Sequence, residues 1–174
     1  TKSHHSLRTF RTGRGEEFMS MAFAEYCADH GVQRHMTAPY SPQQNGVVER
    51  RNLTVVGMAR CMLKARGVPA SFWGEAVTTA VFLMNRSYTR SLTGKTPFEA
   101  WHGRKPNVHF LRVFGCVAHV KRARPFLKKL DDWSTPMVLI GYEASSKAYR
   151  VYDLSTRRVH VSRDVVFDES ARWD

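Results

Sequence analysis

Residues 40–50 of the chain read Tyr40-Ser41-Pro42-Gln43-Gln44-Asn45-Gly46-Val47-Val48-Glu49-Arg50. Proline withholds a backbone donor, so Pro39 and Pro42 end the preceding strand and predict a loop. From about Gln43 to Lys64, apolar residues recur at helical spacing and predict an amphipathic helix. Glu49 is the one carboxylate at the opening of this helix, in its second turn. The stretch therefore predicts a metal-ligand position at Glu49.

The segments on both sides of this helix predict an α/β arrangement. Apolar residues alternate or recur with the period of strands and helices, and glycines mark the ends of several segments. The predicted elements in chain order are a strand over 7–12, a helix that opens at Glu16 and stops at Gly31, a strand over 32–37, a helix over 72–85 and a short helix that Thr96 caps.

After Pro106 the periodicity changes from helical to strand-like. Four segments there are rich in Val, Ile, Phe and Tyr, and a hairpin turn follows Asp153. This pattern predicts a separate small antiparallel β-barrel. Its predicted strands cover 111–120, 136–142, 148–153 and 158–167.

The composition of the chain indicates which class of partner it can bind. Its 174 residues are 43% hydrophobic, which is enough to build a core, and its formal net charge is +12 with a pI near 10.1. Such a charge favours a polyanionic partner, nucleic acid before membrane. The sequence has neither a run of 18 apolar residues nor an apolar secretion signal near Thr1. We expect an intracellular protein, nuclear or cytoplasmic, that is not secreted.

The positive charge is concentrated in one block. Residues 104–129 contain eight Lys and Arg residues and no Asp or Glu, whereas residues 131–174 are slightly acidic. Such a block is typical of a phosphate-contacting face, and the alternative is a solubilising linker. A polar stripe beside Glu49 is the second candidate contact. The predicted DNA-binding residues are Asn45, Arg50, Arg60, Lys121, Arg122, Arg124, Lys128 and Lys129.

A second motif resembles a known family. Residues 11–18 read Arg-Thr-Gly-Arg-Gly-Glu-Glu-Phe. They resemble the motif Arg-Thr-Asp-x-Gly-Gly-Glu-Phe, which accompanies a run like residues 40–50 in integrases of copia-type retrotransposons (Pseudoviridae-like). The resemblance covers almost the whole chain. It continues through residues 39–49, 101–106 and 112–116 and through the tail from 140 to 169.

The resemblance implies a domain organisation within a Pol polyprotein. Residues 1–88 would be the C-terminal part of a ribonuclease-H-like integrase catalytic core. Residues 89–107 would form a linker with a short helix. Residues 108–169 would form the SH3-like barrel of retroviral polymerases. We therefore expect the α/β fold class, with a small antiparallel barrel after a partial integrase core.

The resemblance also implies a chemistry. These integrases join DNA strands with three carboxylates, Asp, Asp and Glu, that hold Mg²⁺, and 35 residues commonly separate the second from the third. Glu49 matches the third carboxylate, and 35 residues lie between it and Gly13, which stands where the second Asp is expected. The first Asp would lie upstream of this chain. We expect an inactive enzyme without Mg²⁺, unless Glu16 or Glu17 replaces the missing ligand.

Two other functions remain open. In the first, residues 108–169 are a protein-interaction module that contacts integrase or host subunits without binding DNA. In the second, the chain is a metal-independent nuclease or a cysteine hydrolase. The second is disfavoured because Cys27, Cys61 and Cys116 lie in apolar patterns that predict core positions. The salt dependence of binding separates DNA contact from protein contact, because phosphate contacts weaken steeply with salt.

Overall fold

The computed structural model describes residues 6–39, 41–121 and 132–171. The chain divides into two compact units, Thr1–Thr54 and Val55–Asp174. Helices and strands occur in both, which confirms the predicted α/β class. The predicted domain limits, at 88 and 107, stay predictions. Within the described ranges, none of the helices has the length and apolar character needed to cross a membrane.

The first unit contains two short strands that pair in parallel. Between two parallel neighbouring strands the chain must return to the same end of the sheet. Here the helices between the two strands form that connection. Both strands predicted at 7–12 and 32–37 are confirmed. The elements are β1 (Thr9–Thr12), α1 (Glu16–Met19), α2 (Met21–Asp29) and β2 (Gln33–Met36).

The single helix predicted after Glu16 is two helices, and that prediction is wrong at Ser20. The backbone of Ser20 is extended, with φ −61° and ψ 143°, and its hydroxyl accepts a hydrogen bond from the Phe23 amide at 3.3 Å. A serine side chain satisfies a free amide at a helix start, so it begins α2 instead of continuing α1. Phe10, Phe18 and Phe23 pack together with ring centroids 5.8 to 6.0 Å apart.

The helix that carries Glu49 is α3 (Gly46–Arg66). A 3-10 turn over Pro42–Asn45 precedes it, so the α-helix begins three residues later than predicted. Glu49 therefore lies in the first turn of α3 and not in the second. The reason is the tighter turn, whose hydrogen bonds close three residues apart instead of four.

Two further helices follow in the second unit. The predicted helix over 72–85 is α4 (Trp73–Arg86), and the predicted short helix is α5 (Pro97–His102). The Thr96 hydroxyl caps α5, because it accepts a hydrogen bond from the Glu99 amide at 3.1 Å. The helix ends at Gly103.

The second unit also contains a five-stranded antiparallel sheet, in the order β6-β5-β4-β3-β7. A buried cluster lies on one face and includes Cys116, Leu139 and Val151. The small antiparallel β-domain predicted after Pro106 is confirmed as a sheet. Its strands are β3 (Val117–Lys121), β4 (Ser134–Tyr142), β5 (Tyr149–Asp153), β6 (Arg158–Ser162) and β7 (Val165–Asp168).

Two of the predicted strands have different limits. The strand predicted from residue 111 begins only at Val117, because the Leu111 and Cys116 amides donate to carbonyls three residues earlier and form turns. The strand predicted over 158–167 is divided into β6 and β7. A turn at Asp164 separates them, and the Asp164 carbonyl accepts a hydrogen bond from the Lys121 amide at 3.1 Å.

Helix α4 packs against β4 through small residues. Ala76 and Ala80 have no exposed surface, and Ala76 shares a buried cluster with Ile140 of β4. A Cβ atom at Gly141 would lie only 3.2 Å from the Thr79 hydroxyl, so glycine permits the close approach. The Arg150 guanidinium donates to both carboxylate oxygens of Glu75, at 2.6 and 3.1 Å. Because the side chains between them are small, α4 lies close enough to the sheet for Glu75 to bind Arg150.

We expect Gly115→Ala to destabilise the second unit and Gly57→Ala to stabilise it. Gly115 has φ +80°, and an added Cβ would lie 2.7 Å from Val68 Cγ2. Left-handed strain and the clash together cost roughly 2–4 kcal/mol. An added Cβ at Gly57, inside α3, meets no atom within 4 Å, and alanine there is worth about 0.5–1 kcal/mol. Urea denaturation measures both, and equal effects of the two substitutions would contradict this packing.

Candidate nucleic-acid interface

The two positions of the integrase-like motif lie in the first unit. Glu49 is exposed in the first turn of α3, where a carboxylate interacts favourably with the positive end of the helix dipole. Gly13 directly follows β1, and an added Cβ there would meet no atom within 4 Å. The site could therefore accept an aspartate without a steric clash. Glu16 and Glu17 lie in the first turn of α1.

The chemistry of the donor set decides whether these residues fit a pair of divalent cations. Mg²⁺ prefers oxygen ligands and usually takes one or two carboxylates for each ion. Glu49 supplies a carboxylate, whereas Gly13 supplies none. Within the ranges that the structure describes, no three His, Cys, Asp or Glu side chains are grouped to hold a metal ion. The described residues therefore do not provide the ligands that a pair of Mg²⁺ ions would need.

The structure places the predicted DNA contacts on different elements. Asn45 ends the 3-10 turn, and Arg50 is exposed on α3, where its guanidinium lies near Gly46. Arg60 is exposed further along α3, and Lys121 is exposed at the end of β3. Asn45 and Arg50 belong to the first unit, and Arg60 and Lys121 belong to the second. Outside the described residues lie Arg122, Arg124, Lys128 and Lys129.

Sequence reasoning missed two cations that the sheet brings to the same end as Lys121. Lys121 pairs with Ser134 at the start of β4, and β5 runs antiparallel to β4 and ends at Asp153. The turn after Asp153 therefore extends toward the Lys121 end. It carries Arg157 and Arg158, both exposed. We call Lys121, Arg157 and Arg158 the basic end of the sheet. The signal available in the sequence was the Arg157-Arg158 pair beside a hairpin turn.

A buried carboxylate holds this turn in shape. Asp153 accepts hydrogen bonds from the Ser155 amide at 2.8 Å, the Ser155 hydroxyl at 2.7 Å and the Thr156 hydroxyl at 2.8 Å. Hydrogen bonds from Ser155 lower the pKa of Asp153 to about 2, Thr156 adds to the effect, and burial opposes it. The turn also accommodates φ +56° at Arg157. The arginines therefore project from an ordered backbone.

Few of the described cations have carboxylate partners. Arg150 binds Glu75 and Glu143, and Arg112 lies 3.7 Å from Glu169. These are the Arg and Lys side chains with ion pairs in the part of the chain that the structure describes. The described residues therefore offer the basic end no carboxylate partner, and its exposed cations can meet an external anion.

The cysteine predictions hold for two of the three residues. Cys27 and Cys116 are buried, as expected of core positions, and burial is the main cause that raises the pKa of Cys116 to about 11. Cys61 is exposed on α3, so its predicted core position is wrong. The apolar residues near Cys61 in the sequence do face the core, but they lie on a different side of the helix.

Comparison with known proteins shows similarity to one domain family and to retrotransposon Pol polyproteins. Residues 116–174 match the retroviral polymerase SH3-like domain. Over 164 residues the chain is 43% identical to the retrovirus-related Pol polyprotein from transposon TNT 1-94 of Nicotiana tabacum, covering 94% of this chain and 12% of the relative. It is 37% identical to that from transposon RE1 of Arabidopsis thaliana over 165 residues, with 94% and 11% covered.

The second unit thus contains an SH3-like domain of the retroviral polymerase class. Over almost its whole length the chain is similar to copia-type retrotransposon Pol polyproteins, as its motifs predict. It spans about an eighth of the relatives' length. One similar solved structure is the simian T-cell lymphotropic virus intasome in complex with PP2A regulatory subunit B56 gamma. The TM-score is 0.46 and the identity 16%, with 92% of this chain and 57% of that chain covered.

Ionised Asp153 should stabilise the second unit. Because its folded pKa lies below the ordinary value of about 3.9, this contribution is present above about pH 4 and is lost as the pH falls toward about 2. Asp153→Asn should therefore flatten the dependence of unfolding free energy on pH in this window. Urea denaturation at successive pH values measures this pH dependence. Asp164→Asn, which lies outside the turn that follows Asp153, is the control. A wild-type pH dependence in Asp153→Asn would assign the effect to another carboxylate.

Proposed function

We propose that the chain binds nucleic acid as an integrase region of a retrotransposon Pol polyprotein and does not carry out strand transfer by itself. The observation that carries the proposal is the basic end of the sheet. There, Lys121, Arg157 and Arg158 are exposed, and none of these three side chains has a carboxylate partner among the residues that the structure describes. The predicted cations at 122–129 continue directly from Lys121 in the sequence.

Phosphate contact would give these exposed cations a binding partner. Each phosphate that a Lys or Arg neutralises releases condensed counterions, and this release favours binding without reading the base sequence. The net charge of +12 attracts the polyanion over longer distances. The ordered turn at Asp153 lowers the conformational cost of placing two arginines on the nucleic-acid backbone. DNA is the expected nucleic acid, because the family resemblance is to integrases.

The absence of strand transfer follows from the ligands at the motif positions. In-line displacement at a phosphodiester needs cations that stabilise both the attacking and the leaving oxygen. Divalent cations bound by the carboxylates would supply that stabilisation in an intact site. Glu49 retains its carboxylate, but Gly13 has no oxygen to offer at the position of the second Asp. A single exposed glutamate does not fix two cations in one geometry.

The alternative is a protein-interaction module in which residues 108–169 contact integrase or host subunits. In that case the charge would be incidental to binding. The two functions differ in their response to salt. Phosphate contacts give a steep linear fall of log K with log salt, whereas apolar protein contacts do not.

We expect Arg157→Gln/Arg158→Gln to weaken binding to a fluorescent DNA duplex and to reduce the salt slope. Each lost phosphate contact should lower the slope by about 1, so the double variant should lose about 2. Fluorescence anisotropy across a salt series measures both quantities.

The matched control is Arg90→Gln/Lys95→Gln, which removes the same charge from an exposed loop ahead of α5. It should leave the slope close to that of the wild type. Equal losses in the two double variants would show that only net charge matters. No salt dependence in the wild type would favour the protein-interaction alternative.

We also expect Mg²⁺ to weaken DNA binding equally in the wild type and in Glu49→Gln, because it then acts only as a counterion of the phosphates and the site lacks its second carboxylate. Gly13→Asp should create Mn²⁺ binding that isothermal titration calorimetry detects, since the position has space for a side chain. Adding Glu49→Gln to that variant should abolish the new binding. A wild-type chain that binds Mn²⁺ through Glu49 would contradict the proposal.

A further inference from the structure

An apolar groove lies in the second unit, away from the basic end of the sheet. The C-terminal half of α3 and the start of α4 enclose it, with a volume of about 460 Å³. This is within the range of about 300–1,000 Å³ that is typical of binding pockets. The apolar side chains that line it include Val56, Ala59, Leu63, Val68, Trp73 and Val77.

The floor of the groove is part of the core. Ala59 and Val68 are buried in the same cluster as Ile140, and Leu63 packs against that cluster. The walls, in contrast, expose large apolar groups, since Trp73 is 65% exposed and Val56 is 47% exposed. A rigid floor and exposed walls present a preformed surface. Tryptophan is among the residues most enriched where binding energy is concentrated.

The rim of the groove has one sign of charge. Among the residues that the structure describes, Arg60 and Lys64 are its charged lining residues. Between residues 55 and 77 the only carboxylate is Glu75, and Arg150 already binds it. Arg60 and Lys64 lie one turn apart on α3, roughly 6 Å along the helix axis. Carboxylates at positions i and i+4 of a second helix have the same spacing.

We propose that this groove binds an acidic amphipathic helix of another protein. Its apolar side chains would pack against Trp73 and Val56, and its carboxylates would pair with Arg60 and Lys64. This mode is the insertion of a helix face into a groove, anchored at i, i+3, i+4 or i+7. The site does not depend on the proposed nucleic-acid contact.

Charge argues against a second copy of the chain in the groove. Two copies would each bring a net charge of +12, and both grooves would present cations at their rims. Like charges that face each other across an interface disfavour association. An acidic partner removes this cost and gains attraction.

The probe is a fluorescein-labelled 18-residue helical peptide with leucines at i, i+4 and i+7 and glutamates flanking them. A second peptide carries lysine at each glutamate position. We expect the intact chain to bind the acidic peptide at least tenfold more tightly than the basic one. Trp73→Ala should weaken binding of the acidic peptide at least tenfold. Trp101→Ala should have no effect, although Trp101 is 61% exposed on a helix.

Charge reversal tests the rim. Arg60→Glu/Lys64→Glu should invert the preference and bind the basic peptide more tightly. The matched control, Arg104→Glu/Lys105→Glu, should keep the preference of the wild type. Circular dichroism and thermal unfolding establish that the variants fold, and the exposed positions of Trp73 and Arg60 keep that risk low.

Three results would overturn the proposal. The first is an equal loss of peptide binding in Trp73→Ala and Trp101→Ala. The second is a preference that does not invert in the rim variant, which would assign binding to net charge. The third is binding of a different partner in the groove, either a second copy of the chain or a nucleic acid. This would appear as a dimer in sedimentation that Trp73→Ala dissociates, or as displacement of the peptide by a single-stranded oligonucleotide in a Trp73-dependent manner.

Discussion

The second unit depends on one strand that is buried on both faces. Successive side chains of a strand point to opposite sides, so neighbouring residues of β4 enter two different cores. Met137 and Leu139 belong to the buried cluster on one face of the sheet. Ile140 belongs to the cluster on the other face, which includes Ala76 of α4. Antiparallel sheets often leave one face to water, but here a helix covers it. The small side chains of Ala76 and Gly141 allow that cover to lie close.

Close packing of α4 has consequences for the charges around it. The ion pair between Glu75 and Arg150 is half-buried and joins α4 to β5. It also engages Glu75, the one carboxylate in the sequence between residues 55 and 77, which contain the residues that line the groove beside α4. The same packing leaves Trp73, in the first turn of the helix, exposed at the groove wall. One interface therefore determines both the support of the sheet and the charge of the adjacent surface.

Much of this architecture could be predicted because the signals are local. Helical spacing located α3 and α4, the Thr96 cap located α5, and glycine or proline marked most ends. The predictions failed where a side chain or a tight turn competed with the local period. Ser20 divides one predicted helix, the 3-10 turn before Gly46 shifts Glu49 by a turn, and the turn at Asp164 divides one predicted strand. Such hydrogen bonds involve single residues, whereas periodicity averages over many.

Residue types and their spacing were enough to predict the fold class, the excess of positive charge, and the motif register that puts Gly13 at the position of a family carboxylate. These are properties of residue type and spacing along the chain. Only the tertiary structure decided that Lys121 and Arg157 share one end of the sheet and that Cys61 faces outward. It also decided that Trp73 lines a groove. The physical reason is that strand register and helix packing join residues far apart in the chain, and local patterns carry no information about such partners.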